Sequence, residues 1–290
     1  MTTVSFPGLG IGEFSLDPVA ISFELFGNPI EIRWYGAIIC LGMILAVLYV
    51  CMRAKQAGIA IDHILDFALV IIPCGVIGAR LYYVLMRLDS YDSIKDVFAI
   101  WNGGLAIYGG IIAGGLALLI CAKIKKLSLG KIFDMVAPAV MIGQILGRWG
   151  NFFNGEAHGG ETDIFCRMGL FEGNQWSFVH PTFLYESLWN LLGFVIANLI
   201  YRKKKYDGQV FFFYVAWYGF GRMLIEGLRT DSLYLFGTGI RVSQLVGFLC
   251  FIIGTAFFVT LWVRAARKAP APAETTVADE VAAEENSAEE

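Results

Sequence analysis

The stretch GRWGNFFNGEAHGG, Gly147 to Gly160, places Arg148, Asn151, Asn154, Glu156 and His158 among five glycines, directly after an apolar run from Ile132 to Leu146. A guanidinium offers paired N–H donors in a planar fork that grips two phosphate or carboxylate oxygens at once. Arg148 and Asn151 are three residues apart and share a face if the helix continues that far. Gly147 and Gly150 flank the arginine and open the backbone to close approach. A second group, Arg222, Glu226 and Arg229, has i, i+4, i+7 spacing, again one helical face. It reads either as an internal ion-pair ladder or as a ladder with one arginine spare for a ligand. Arg80 is a third cation inside an apolar run. An arginine there costs a few kcal/mol or more unless it is paired or wetted. Snorkelling or a structural carboxylate partner would explain any one of the three. Together, at one depth beside a polar loop, Arg148 and Arg222 point to an anionic lipid headgroup.

Other polar positions weigh less. His63, His158 and His180 read as structural. HPTFLYE, His180 to Glu186, puts Pro181 in the first turn of a helix, and Glu186, six residues inside, is harder to dismiss. WNGGLAIYGG, Trp101 to Gly110, sets glycine pairs on either side of Tyr108 and suggests a broken helix entry, where non-helical backbone lines a cavity. Five of the six cysteines lie in or beside apolar runs, Cys166 stands alone, and no CxxC occurs, so a disulfide framework is not expected.

The elements that position these groups follow from composition. Of 290 residues 57% are hydrophobic and 16% charged, with a mean hydropathy of +0.63. That lies outside the soluble range, and the apolar runs approach the roughly 20 residues that cross a bilayer. They are continuous rather than alternating, which excludes a barrel. The pattern predicts an all-α polytopic membrane protein with seven transmembrane helices: roughly Trp34–Met52, Ile64–Met86, Leu105–Ala122, Ile132–Gly150, Pro181–Tyr201, Val210–Glu226 and Val242–Val263. GxxxG at Gly110–Gly114 and Gly143–Gly147 predicts close helix packing.

Orientation comes from the basic residues. Arg53, Lys55, Lys123, Lys125, Lys126, Lys131, Arg202 to Lys205, Arg264, Arg267 and Lys268 fall on one side. Arg33, Arg87, Lys95, Arg167, Arg229 and Arg241 fall on the other, offset by acids. The first side is expected to be cytoplasmic, with the N-terminus and the polar loop outside. Met1 to Ile30 lacks a basic region followed by an apolar core, so the first span is expected to be the insertion signal. Residues 1–268 then form the seven-span domain, with 151–180 a small extracytoplasmic cap lacking obvious regular structure. Met1 to Glu31 lies on the outer surface with one candidate strand, AISFELF. The tail 269–290 is acidic and Ala/Pro-rich, and is expected to be disordered in the cytoplasm.

GRWGNFFNGEAHGG resembles the signature of bacterial prolipoprotein diacylglyceryl transferases. IRWYG, GARLYYVL, WNGGLAIYGG, HPTFLYE and GFGRMLIEGLR extend the resemblance in family order over about residues 20–263. The resemblance implies transfer of a diacylglyceryl group from phosphatidylglycerol to the cysteine thiol of a lipobox in a prolipoprotein signal peptide. A thioether forms and glycerol phosphate leaves, without metal or cofactor. It also implies a multi-pass protein of the bacterial cell membrane whose partners are those substrates and membrane lipid, and not nucleic acid. By position, Arg148 matches the arginine that binds phosphatidylglycerol, Asn151 and Glu156 its polar partners, Arg222 the essential arginine of the late motif with Glu226 and Arg229 after it, and Tyr35 the tyrosine of the first span. Many members have histidine, regarded as a candidate base, where this chain has Tyr108. A transporter with an arginine-lined anion path is the competing class. It would hold its site near mid-bilayer, whereas the polar residues here cluster toward one end. A receptor or scaffold would need no such cluster.

Overall fold

The structure is a computed structural model that describes residues 2–88, 91, 93–100, 103–235 and 237–268. The acidic tail 269–290, and Trp101 and Asn102 of the WNGG motif, lie outside the described residues.

Two antiparallel pairs of strands open the chain: β1 (Thr2–Phe6) with β2 (Ile11–Leu16), and β3 (Val19–Leu25) with β4 (Asn28–Arg33). The helices α1 (Trp34–Gln56), α2 (Ile61–Met86), a short α3 (Ile94–Phe98), α4 (Ile107–Ile124) and α5 (Leu129–Phe153) follow. A second hairpin, β5 (Met168–Glu172) and β6 (Gln175–Val179), precedes α6 (Thr182–Arg202), α7 (Gln209–Ile225) and α8 (Val242–Lys268). The bundle pairs α1 with α5, α5 with α6, α6 with α7, α7 with α8 and α2 with α4.

Six helices, α1, α2, α4, α5, α6 and α8, are long and apolar enough to cross a membrane. The remaining expected span, α7, has 17 residues and is shorter than the roughly 20 that suffice. It is held in register from both ends. At one end Asp134 of α5, with no exposed surface, accepts from the amides of Gly208, Val210 and Phe211 and from Lys204 Nζ, each at 2.9–3.1 Å. This carboxylate caps α7 from a neighbouring helix, satisfying donors that the helix cannot. Burial pulls the Lys204 ammonium toward neutrality, but the hydrogen bonds it donates to Asp134 and Asp207 outweigh that and keep the lysine more firmly protonated than usual.

The all-α expectation fails at the head. β1 recruits β5, giving a four-stranded sheet in the order β2-β1-β5-β6. The cap expected from 151–180 alone is therefore built from two distant segments. The reason is burial. Val4, Phe6 and Leu16 can leave water only against Met168, Leu170 and Val179, and that layer packs onto Phe152 of α5 and Phe183 of α6. The expected strand AISFELF is β3, displaced by one residue.

Small residues set the closest helix approaches, but mostly elsewhere than the GxxxG pairs. At Gly143 an added Cβ would meet nothing within 4 Å, and at Gly147 only Ile39 at 3.6 Å. At Gly219 it would lie 2.6 Å from the backbone of both Gly247 and Phe251, so α7 and α8 touch main chain to main chain. Between α6 and α7, Trp189 and Trp217 stack at 4.2 Å, and each indole N–H donates to the other's carbonyl. Gly219→Ala is expected to lower the thermal midpoint by several degrees, the consequence of roughly 1–3 kcal/mol of overpacking. Gly143→Ala should be neutral, and equal midpoints for the two variants would refute this account of the seam.

Candidate active site at the head end of the bundle

The head sheet fixes the ends of α5 and α6. Phe152 and Phe183 stack at 4.5 Å within the sheet-facing core, so their neighbours Asn151 and Glu186 are carried to one place. Glu186 is 3% exposed. Its Oε2 lies 2.6 Å from Arg148 Nη2, and its Oε1 lies 2.8 Å from Arg222 Nη1 and 3.5 Å from Arg229 Nη1. One carboxylate thus gathers guanidinium groups from α5, from α7 and from the segment beyond α7.

Around this node the remaining partners are ordered. Arg148 Nη1 donates to Asn151 Oδ1 at 3.2 Å, and Asn151 and Asn154 donate their amides to Glu156 Oε1 at 3.0 and 3.2 Å. Arg222 Nη2 lies 2.5 Å from Glu226 Oε2. That contact is an ion pair off the hydrogen-bonding direction, because Glu226 Oε2 is buried without a hydrogen-bond partner of good geometry. Each guanidinium has five N–H donors. Arg148 donates one hydrogen bond, to Asn151, and Arg222 one, to Glu186, the remaining contacts being ion pairs, so neither fork is filled. Their side chains are 19% and 15% exposed, so neither arginine is sealed off.

The i, i+4, i+7 ladder is realised only in its first step. α7 ends at Ile225, a 3₁₀ turn covers Glu226–Leu228, and Arg229 is extended at φ −76°, ψ 146°. Arg229 is not spare. It forks onto Asp231 through Nε at 2.9 Å and Nη2 at 2.7 Å. Burial alone would weaken its charged form, but the Asp231 contacts hold it more firmly protonated than usual. In return, hydrogen bonding from Arg229 holds the Asp231 carboxyl below the usual carboxylate range, against the opposing effect of burial.

The glycines of the 147–160 stretch have separate tasks. At Gly150 an added Cβ would come within 2.8 Å of the Tyr35 ring, which is how Tyr35 comes into electrostatic range of Arg148 and Glu156. Gly155 has a left-handed φ of 67°. Gly159 pairs with Arg229 in an isolated bridge, Gly160 N donates to Leu228 O at 2.9 Å, and a Cβ on Gly159 would meet His180 at 2.6 Å. The loop is thereby laid on the exit of α7. The His158 and His180 rings bond locally, to Gly159 O and to the Tyr185 hydroxyl, while the His180 backbone pairs with Gly159 and Gly160.

Arg80 is not brought to this node. Its fork is filled by carbonyls of the α2–α4 connection: Val97 at 2.8 Å, Asp96 at 2.6 Å, Gly103 at 2.6 Å and Gly104 at 2.9 Å. Gly103 and Gly104 both have left-handed φ, which turns their carbonyls inward. The broken entry to α4 is present, since regular helix starts only at Ile107, and it wraps an arginine. Tyr108 hydrogen-bonds to Ser243 of α8 at 3.2 Å. Tyr218 of α7 lies in electrostatic range of Tyr108, Arg222, Glu186 and Arg148. It was missed by sequence reasoning, because a tyrosine in an aromatic-rich span carries no local signal.

These features define a multi-pass membrane protein with a buried arginine–carboxylate node under a small β head. The chain belongs to the prolipoprotein diacylglyceryl transferase family: the profile of that description matches residues 20–260. Among its relatives are proteins of Streptococcus pneumoniae strain Hungary19A-6, serotype 19F strain G54 and serotype 2 strain D39, each named phosphatidylglycerol–prolipoprotein diacylglyceryl transferase. Each is 48% identical over 262 residues, covering 88% of this chain and 97% of the relative.

The Asp231 pairing gives a pH signature. A carboxylate whose folded pKa is depressed contributes stability that is fully present above its unfolded value of about 3.9 and lost as pH falls through the folded value. Thermal midpoints of wild type and Asp231→Asn should therefore differ at neutral pH and converge below about pH 4. A constant difference across that window would show that the pair does not titrate as described.

Proposed function

We propose that this chain transfers the diacylglyceryl group of phosphatidylglycerol to the cysteine thiol of a lipobox in a prolipoprotein signal peptide, at the head face of the bacterial cell membrane. The observation that carries this reading is the Arg148–Glu186–Arg222 node, with its unused N–H donors, in a chain of this family. The domain is taken as residues 1–268, with α7 as the seventh span despite its length and the acidic tail 269–290 outside it. The basic ends of the helices face the cytoplasm and the β head faces out.

The product is a thioether, so sulfur attacks carbon and not phosphorus. The S–C bond to the diacylglyceryl carbon forms as the C–O bond to phosphate breaks, glycerol phosphate leaves, and the thiol proton passes to the phosphate or to water. The phosphate gains charge as the bond breaks, and preorganised donors aimed at that charge are the largest available source of acceleration. Arg148 holds the headgroup and Arg222 faces the leaving phosphate. Asn151, Glu156 and Glu226 fix the two forks, and Glu186 holds both at a common depth. The same cations favour the thiolate over the thiol. Tyr35 and Arg229 complete the binding wall. A shallow apolar groove of about 360 Å³ between α1, α2 and α4, lined by Met43, Val76 and Ile107 among others, suits an acyl chain. Tyr108 positions lipid. Its hydroxyl is engaged with Ser243, and among the described residues no cation hydrogen-bonds to it.

The decisive assay is transfer of radiolabelled lipid to a lipobox peptide in detergent, and no product would sink the proposal. Arg222→Lys keeps the charge but loses the planar fork. Its turnover is expected to fall by about a hundredfold or more, as for loss of a leaving-group donor, while Tyr108→Phe should stay within about tenfold of wild type, as for a group not used as base. Near-normal Arg222→Lys would reduce Arg222 to a point charge, and a dead Tyr108→Phe would make Tyr108 the base. A reporter active only outside the cytoplasm, fused after Glu290, should be silent, and a signal from it would invert the orientation.

A further inference from the structure

Another buried arginine sits at the opposite, basic end of the bundle, and the reaction does not use it. Arg53, in the last turn of α1, is 6% exposed. Its Nε donates to the Tyr49 hydroxyl at 2.9 Å, its Nη1 to Gln56 Oε1 at 2.7 Å and its Nη2 to Asn198 Oδ1 of α6. The Tyr201 ring lies 4.2 Å from the guanidinium carbon. Every partner is neutral, and among the described residues no carboxylate pairs with Arg53. Elsewhere the buried or half-buried cations differ: Arg148, Arg222 and Arg229 have acids, Lys204 has two, and Arg80, which has none, has four backbone carbonyls around its fork. An uncompensated guanidinium at this depth is costly, and two of its five donors are unspent.

Beside it a groove of about 630 Å³ opens between α1 and α6, both of which pack on α5. Its lining is graded along the helix axes. Arg53, Gln56 and Arg202 stand at the helix ends, at headgroup depth, and Phe194, Val195 and Leu199 run back toward the centre of the bundle. Val195 and Leu199 are 49% and 58% exposed, so the groove opens sideways onto lipid as well as endwise. Two cations at the mouth and an apolar trough beneath match one molecule with an anionic phosphodiester head and acyl tails. A free phosphate would use the mouth and leave the trough bare.

We propose that the α1–α6 groove is a binding site for an anionic phospholipid of the leaflet at the basic end, whose phosphodiester completes the charge of Arg53 with Arg202. The site is separate from the head-end node. Only the name of the leaflet, cytoplasmic, rests on the orientation proposed above.

The test uses the full chain, delipidated in detergent and mixed with phosphatidylserine, with retained lipid counted by native mass spectrometry. Phosphatidylcholine serves as the neutral diester control and inorganic phosphate as competitor. Wild type is expected to retain phosphatidylserine over phosphatidylcholine and not to release it to inorganic phosphate. Arg202→Gln should weaken retention about fivefold, the effect of one basic side chain at a headgroup. Val195→Trp, which fills the trough without touching a charge, should weaken it as well. Both positions are exposed, so neither variant depends on the Arg53 contacts for folding, as Arg53→Gln does. Arg148→Ala should leave this retention intact. Wild-type retention in both Arg202→Gln and Val195→Trp would overturn the site. So would displacement by inorganic phosphate, or loss of the signal in Arg148→Ala alone, which would assign it to the head end.

Discussion

One buried carboxylate sharing three guanidinium groups is the constraint around which the head end is built. Glu186 at 3% exposure would be costly to bury as a lone charge, and Arg148 and Arg222 at their depths need acidic partners that it supplies. Each satisfies the other only if α5, α6 and α7 meet at one height. Backbone fields assist. Arg222 lies in the last turn of α7, where the helix end is negative, and Glu186 lies just past the first turn of α6, where it is positive. The ion pairs are not required to be a net source of stability. Their effect is to disfavour every packing in which the forks are misaligned.

The β head serves the same geometry from above. Val4, Phe6, Leu16 and Leu170 form a layer too small to stand alone, and it becomes buried only by covering Phe152 and Phe183. Because Phe152 adjoins Asn151 and Phe183 lies three residues before Glu186 on α6, the burial that stabilises the head also fixes the polar groups beneath it. The loop from Gly155 to Gly160 then crosses to Leu228 and Arg229. The chain leaving α5 is thereby bonded to the chain leaving α7.

Much of this was legible in the sequence where the signal is local. Apolar runs gave the helices, and Arg148, Asn151 and Glu156 are as close in space as in sequence. What was not legible is whatever depends on distant pairing. Glu186 was noticed but not connected, since nothing in HPTFLYE reports two arginines 36 and 38 residues away on other helices. β1 and β5 lie more than 160 residues apart, so neither predicts the sheet alone. Arg80 looked equivalent to Arg148 by composition and depth, yet its partners are carbonyls, two from Asp96 and Val97 and two presented by the left-handed Gly103–Gly104 turn. The ladder through Arg229 assumed a helix that the 3₁₀ turn ends.

The shortest of the long helices carries the arginine assigned to the leaving phosphate, and that pairing has a physical logic. A 17-residue helix has less apolar surface with which to fix its depth in a bilayer than its longer neighbours. α7 is instead held by polar contacts at both ends. Asp134 binds the amides of Gly208, Val210 and Phe211, while Glu186 and Glu226 bind Arg222. From Val210 to Arg222 is about 18 Å of helix at 1.5 Å per residue. With both ends bonded, sliding by one residue would break the cap and the ion pairs together. The close backbone contact of Gly219 with Gly247 also resists rotation about the axis. The depth of the Arg222 fork is therefore set by directional bonds, which have sharp distance limits, and not by hydrophobic matching, which tolerates shifts of several ångströms. A group that must meet a phosphate at hydrogen-bonding distance requires the first kind of placement.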